Sequence, residues 1–347
     1  MEKECNHPVT ARQKEITIKD VAKEAGVSIA TVSRALNGQN GISESTRKYV
    51  LDICQKISYT PNAMARNLVM QKTETIGIIV PDIMSPFYAE IMVRAEEEAG
   101  RKGYQVLLCN SFRSFEKEES YINLLMSNRV EGILIWPVGE TSTKTLQRYS
   151  LRIPIVSLNR IEDDSNVPYV CTDERLSGRI ATEYLISRGC QNLIFIGMKW
   201  ERFSHKCRAE SFLEVAKEYG VQAEIWEGKS DYRTSFERGY NQFLQLIQSG
   251  EKIPDGIVAA SDATANGVVK AARECGLEIP TDFSIIGFDN ISNDLPYIEL
   301  STVGISRKEQ VLSAIDILER IRDNRKIPIQ EQRVMLVPRL IERKSCK

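Results

Sequence analysis

From Thr75 onward the chain alternates short apolar runs with longer mixed stretches, and few folds satisfy that rhythm. The runs "TIGIIV", "YQVLLC", "VEGILIWP" and "IPIVSL" are separated by helical stretches at 85–102, 115–127 and 141–149. A second series, "YVCT", "NLIFIG", "AEIW", "GIVAAS" and "FSIIGF", is separated by helical stretches at 174–187, 206–219, 235–248 and 262–275. Continuous β-branched runs suit strands buried on both faces, and the helices between them supply the crossovers that parallel strands require. Two series predict two doubly wound α/β lobes. Ligands in such folds sit beyond the carboxyl ends of the strands, so a cleft between the lobes is the expected small-molecule site.

The first sixty residues follow a different rule. After a polar tail at 1–15, residues 17–58 read as three short helices. Thr17 and Asp20 have capping-box spacing, and Ile18, Val21, Ala22 and Ala25 make one apolar stripe. Gly26 supplies the left-handed geometry that ends the first helix. Ser28 caps a second helix, with Val32 and Leu36 inward at i, i+4 spacing, and Ser43 caps a third that carries Val50, Cys54 and Ile57. Helix, tight turn, helix and supporting helix make a helix-turn-helix head. A small helical packing module is the plainer reading of the same pattern.

Charge divides at the same boundary. The 347-residue chain has a formal charge of −1, yet residues 1–72 carry eleven Lys/Arg against seven Asp/Glu. A basic head on an acidic body points to a polyanionic partner for the head. The eight cysteines are scattered without a C-x-x-C pair, so they read as small hydrophobes in a reducing cytosol, with no metal site or cofactor implied. The first residues lack a signal-peptide pattern, and no apolar run approaches the ~20 residues a bilayer demands.

Catalysis finds little support. "GKS" at 228–230 resembles a P-loop, but the required upstream glycine is Ala223. No G-x-S-x-G elbow is present, and the only histidines are His7 in the tail and His205 in the expected cleft wall, so neither a two-histidine metal site nor a Ser-His-Asp triad is visible. No catalytic residue is assigned. A stand-alone solute receptor would carry an export signal and no basic head.

The motifs themselves carry a resemblance. "ITIKDVAKEAGVSIATVSRALNG" and "ISESTRKYVLDICQKISYTPNAMARNLV" resemble the DNA-binding head of LacI-type bacterial transcriptional repressors, and the likeness continues through "IGIIVPDIMSPFYAEI", "GIVAASDATANG", "IPTDFSIIGFDN" and "PRLIERKSC". The resemblance implies a homodimer on double-stranded, palindromic operator DNA, and lobes like those of periplasmic binding proteins holding a small effector. Ile29, Ser33 and Asn37 share one face of the second helix, with Ala30 and Arg34 beside them. Arg34 can fork to guanine and the apolar pair suits thymine methyls. Thr17, Ser28, Thr31, Ser43 and Thr46 lie at helix starts, where capping and phosphate contact are compatible. In "YTPNAMARNLVM", Asn62, Ala65 and Leu68 match a hinge helix that orders on DNA, with Leu68 as a minor-groove wedge.

The resemblance also places an effector set: Phe87, Tyr88, Asp173, Arg202, Ser204, Arg208, Asp262 and Asp289. Arginine forks and carboxylates across a cleft can hold hydroxyls, carboxylates or phosphates. Asp173 and Arg202 equally suit a structural ion pair. A sugar or sugar derivative is the expected effector, with a purine as the alternative. "SRGCQN", "AASD" and "EGKSDYRTSF" depart from the family pattern, and Tyr232 or Phe236 is expected as a pocket floor. The expected division is head 16–60, hinge and linker 61–73, first lobe 74–173 plus about 302–331, and second lobe 174–301 plus about 332–343. The terminal stretch lacks leucine heptads, which favours a dimer over a tetramer.

Overall fold

The computed structural model describes residues 16–38, 40–59, 73–139, 142–161, 165–198, 203–227, 232, 234–291, 298–323 and 328–347. They fall into two compact units, Met1–Thr73 and Glu74–Lys347. Asn62, Ala65 and Leu68, expected in the hinge, and Arg202, expected at the cleft, lie outside the described residues.

In the first unit, α1 (Ile18–Ala25) opens at Thr17, whose backbone N–H and hydroxyl donate to the Asp20 carboxylate at 2.8 and 2.7 Å. Gly26 ends it at φ +64°. Helices α2 (Ile29–Leu36) and α3 (Glu44–Lys56) open on Ser28 and Ser43, whose hydroxyls accept from the Thr31 and Thr46 N–H groups at 3.1 Å. Val21, Val32 and Val50 meet in one fully buried cluster with Ala22, Ala25, Ala35 and Cys54. Leu36 and Ile57 pack at its margin.

The second unit begins with β1 (Thr75–Val80), α4 (Pro86–Arg101), β2 (Gln105–Asn110), α5 (Phe115–Ser127), β3 (Ile133–Ile135), α6 (Ser142–Ser150), β4 (Ile155–Ser157) and β5 (Tyr169–Thr172). It continues through α7 (Glu174–Ser187), β6 (Asn192–Ile196), α8 (Phe203–Tyr219), β7 (Gln222–Trp226), α9 (Ser235–Gln248), β8 (Gly256–Ala259), α10 (Asp262–Glu274) and β9 (Ser284–Phe288). Last come β10 (Ser301–Gly304), α11 (Arg307–Arg322), β11 (Arg333–Leu336) and β12 (Arg339–Ile341). Two six-stranded sheets result, ordered β11-β5-β4-β3-β1-β2 and β12-β10-β9-β8-β6-β7. Only β12 runs antiparallel to its neighbour among these pairings. Both sheets are covered on each face by apolar clusters.

Two expectations shift. The chain recrosses between lobes after Gly304, close to the expected 302, and again after Leu336, past the expected 332. Strand β10 stays in the second sheet, pairing Ser301 with Ile286, while β11 returns to the first, pairing Arg333 with Tyr169. These strands of four residues carry no periodicity that would assign them to a sheet. Strand β2 is also an edge, leaving Leu107 and Leu108 exposed at 40% and 49%. Of the described cysteines, only Cys275 is exposed, and all are free.

Helices α9 and α10 cross closely because glycine stands on both. A Cβ at Gly239 would lie 2.1 Å from the Thr264 carbonyl oxygen, and one at Gly267 would lie 2.1 Å from that of Phe236. Backbone cannot step aside as a side-chain tip can. Gly267→Ala is therefore expected to destabilise the protein by about 1–3 kcal/mol, the range for overpacking. Gly100→Ala in α4, whose Cβ would meet nothing within 4 Å, is the control and should be neutral or mildly stabilising. Urea unfolding of both variants decides it, and equal midpoints would contradict the close crossing.

Candidate nucleic-acid interface and ligand cleft

The cap serines orient α2 so that one side packs inward and the other meets solvent. Ser28, Ile29, Ala30 and Arg34 are exposed, with Ile29 at 46%, while Thr31, Ser33 and Asn37 are half-buried. The Arg34 side chain makes no ion pair or hydrogen bond among the described residues. Asn37 stands one residue past the helix and donates its amide to Ser33 Oγ at 3.3 Å, which steadies the C-terminal end of the face. Ser28 Oγ also lies 2.9 Å from Thr31 Oγ1, and Ser43 Oγ lies 2.8 Å from Thr46 Oγ1. Thr17 engages Asp20 as described above. The face thus combines a solvated guanidinium with apolar Ile29 and Ala30, the inventory that base edges in a major groove require.

In the second unit, parallel pairing gathers the carboxyl ends of the strands. On the first lobe Phe87, Tyr88 and Trp136 form edge-on ring pairs at 4.9–5.6 Å. Tyr88 is buried in the lobe's core cluster, so it supports the wall and is not an exposed stacking ring. Phe87 is half-buried, and the Arg307 guanidinium lies 4.3 Å from its centroid. Arg307 donates to the Asp289 carbonyl at 3.1 Å and to Gln310 Oε1 at 3.3 Å. Gln310 in turn donates to the Leu158 and Val170 carbonyls at 2.8 and 3.2 Å. Arg307 therefore bridges from the start of α11 to the second lobe.

Opposite stands a buried ionic cluster. Arg208 Nε donates to Glu174 at 2.6 Å, Nη1 to the Ala260 carbonyl at 3.0 Å and Nη2 to Asp289 Oδ1 at 3.4 Å. Its guanidinium stacks over Phe288, 4.4 Å from the centroid. Burial works against the Arg208 charge, but Glu174 and Asp289 outweigh it and raise its pKa. Burial raises the Glu174 carboxyl despite Arg208. Burial likewise lowers the Arg307 pKa, although Asp289 opposes the shift. Asp289 and Asn290 hold φ of +103° and +48°, a strained turn for residues with a Cβ. Three bonds impose it: Asp289 N–H to the Val303 carbonyl, Asn290 N–H to Thr302 Oγ1 and Ile291 N–H to Asp262 Oδ2, at 3.0, 3.2 and 2.9 Å.

The expected effector residues therefore separate. Arg208 and Asp289 come together as a pair. Asp262 is 1% exposed, and its two oxygens accept from Thr302 Oγ1 at 2.7 Å and from Ile291 N–H. Asp173 caps α7, accepting from Leu176 N–H at 3.0 Å. Ser204 is half-buried in the first turn of α8, beside Phe203, whose ring lies 5.0 Å from the Arg160 guanidinium. Tyr232, expected at the floor, accepts from Gln245 of α9 at 2.9 Å, and Phe236 contributes its carbonyl to the α9–α10 crossing. Sequence reasoning missed Trp136, Glu174, Arg307 and Gln310. Glu174 follows Asp173 in the chain and had a strand-end position as its signal; Arg307 had none. Among the described residues no cluster of three His, Cys, Asp or Glu side chains is placed to hold a metal, and no helix is long and apolar enough to cross a membrane.

Residues 17–62 match the family model for bacterial regulatory proteins of the lacI family, and residues 182–346 match a periplasmic binding protein-like domain. The chain is 34% identical over 337 residues to the HTH-type transcriptional repressor PurR of Actinobacillus pleuropneumoniae serotype 3, covering 95% of this chain and 98% of the relative. The lac repressor dimer bound to operator and the anti-inducer ONPF shares the fold at a TM-score of 0.84 and 23% identity, covering 96% and 99% of the two chains. A periplasmic binding protein/LacI transcriptional regulator from Alkaliphilus metalliredigens complexed with D-xylulofuranose gives 0.67 at 28% identity, covering 79% and 99%.

The cluster makes stability depend on pH. Burial, then the charge of Asp289, raises the Asp262 carboxyl well above its usual value. The folded chain holds a proton that the unfolded chain releases above about pH 3.9. Stability is then lost as pH rises from there through the folded-state pKa, at up to about 1.4 kcal/mol per unit. In Asp262→Asn the amide oxygen can accept from Ile291 and the amide nitrogen can donate to Thr302, without titration. Urea unfolding at pH 4.5 and 8 should show the variant gaining on the parent as pH rises. A constant difference would remove Asp262 as the cause.

Proposed function

The chain belongs to the lacI family of bacterial regulatory proteins, and on that premise we propose that it is a sequence-specific repressor of transcription acting as a homodimer on palindromic operator DNA. Arg34, exposed and with its side chain unpaired among the described residues, beside Ile29 and Ala30 on α2, is the observation that carries this reading. Arg34 forks to a guanine, the apolar pair contacts thymine methyls, and Ser33 and Asn37 extend the same face. Thr17, Ser28, Thr31, Ser43 and Thr46 set the head against phosphates through helix starts. Asn62, Ala65 and Leu68 form the hinge, with Leu68 wedging a base step. A two-fold dimer calls for inverted half-sites. Exposed Ile83, Met84, Leu107, Leu108 and Phe112, on β2 and the segments after β1 and β2, supply apolar surface for a second copy. The protein works in the bacterial cytoplasm at the nucleoid, and its role is regulatory, not catalytic.

A small effector tunes this binding from the cleft. Phe87 and Trp136 offer an apolar wall, while Arg208, Asp289 and Glu174 offer forks and acceptors, with Asp173, Ser204 and, from outside the described residues, Arg202 assigned to the same set. This pairing of an apolar side with convergent polar groups suits a sugar or sugar derivative. The D-xylulofuranose held by the Alkaliphilus relative supports that class. The effector acts by favouring one relative setting of the lobes, and only through its differential affinity for the two.

Sequence selection from a random DNA pool with the full-length protein tests the reading, and recovery of inverted repeats is expected. Arg34→Ala should lose about 1–3 kcal/mol of discrimination at one base pair per half-site in a fluorescence-anisotropy titration. Unchanged affinity and specificity would overturn the assigned face. Leu68→Ala should weaken operator binding while leaving the thermal shift produced by a panel of sugars, sugar phosphates and purines as in the parent. The same panel separates a sugar from a purine effector.

A further inference from the structure

A pocket of about 440 Å³ lies where the chain recrosses between the lobes, and it shares Arg307 with the wall of the effector cleft. The first lobe contributes Glu90 and Arg94 of α4 together with Arg307 and Lys308 at the start of α11; Asn290 and Arg339 come from the second. Four cations thus face one carboxylate. Arg94 is engaged by Glu97 at 2.9 Å and Lys308 by Glu98 at 3.7 Å. Arg339 is exposed, and its side chain makes no ion pair or hydrogen bond among the described residues. Arg307 is 5% exposed, and its Nε donor has no acceptor among the described residues. That atom is itself closed off from solvent, so Arg307 offers the pocket its positive charge and not this donor. Helix α11 adds the positive end of its dipole, with Ser306 as its cap.

We propose that this pocket binds a phosphate-class dianion, either inorganic phosphate or the phosphoryl group of a small monoester, bridging the two lobes at their crossover. Arg339 and Asn290 approach it from the second lobe while Arg94, Arg307 and Lys308 approach from the first, so occupancy favours the setting in which these groups converge. This makes the pocket a second input, joined to the effector cleft through Arg307, which also contacts Phe87 and the Asp289 carbonyl. Glu90 counts against the anion and selects for a ligand whose charge exceeds that of one carboxylate.

Titration calorimetry of the full-length protein with inorganic phosphate, against sodium chloride of matched ionic strength, tests the proposal. Saturable binding is expected, and Arg339→Gln should raise the dissociation constant about tenfold, the loss of one charge-assisted hydrogen bond. Arg94→Gln should act in the same direction. Glycerol 3-phosphate binding where glycerol does not would show that a monoester also enters; binding of phosphate alone would assign the free ion. A response that does not saturate, matches chloride or ignores both substitutions overturns the site. Arg339→Gln should bind operator like the parent in phosphate-free buffer, so failure here and failure of the repressor reading are separately visible.

Discussion

Parallel strands must all return to the same end before they run again, and this rule organises the second unit. Each crossover helix brings the chain back, so the carboxyl ends of both sheets collect the residues that follow them. Phe87 follows β1, Trp136 follows β3, Glu174 follows β5, Ala260 follows β8 and Asp289 follows β9. Residues spread over two hundred positions become neighbours without any local sequence relation. The Arg208 cluster is a consequence of winding before it is a matter of chemistry.

Winding alone would leave charges stranded in a low-dielectric interior, and the cluster shows how that is avoided. Arg208 is taken out of water but meets two carboxylates, a carbonyl and an aromatic face. Buried ion pairs of this kind contribute little net stability, yet removing one partner leaves a strongly destabilising charge. Their value lies in geometry. Asp289 can hold a left-handed backbone because bonds to Val303, Thr302 and Asp262 over-determine its turn. The same turn presents its carbonyl to Arg307, so the strained strand end joins the lobes.

The head obeys a different economy. Its core is a handful of small apolar side chains, Val21, Val32 and Val50 among them, and a core so small leaves little margin. Caps at Thr17, Ser28 and Ser43 satisfy N–H groups that would otherwise depend on water. These caps also fix which face of α2 points outward, so local hydrogen bonds set the presentation of Arg34.

Local pattern was enough for the elements that rest on local physics. Periodicity and caps located the three head helices, the left-handed Gly26 turn and nine strand runs, because burial period and capping are written within a few residues. Arg208 and Asp289 were legible through motifs, and Arg34 through the face it shares. Tertiary structure decided the rest. Asp262 turned inward because Thr302, forty positions away, supplies its donor, and Tyr88 went to the core because Trp136 packs beside it. Arg307 joins the lobes, held from behind by Gln310, only because β10 ends in one sheet and α11 packs on the other. Strands β11 and β12 are too short to declare a sheet, so their pairing depends on which edge is open when the chain arrives. Contacts of that range have no local period, and only the folded chain contains them.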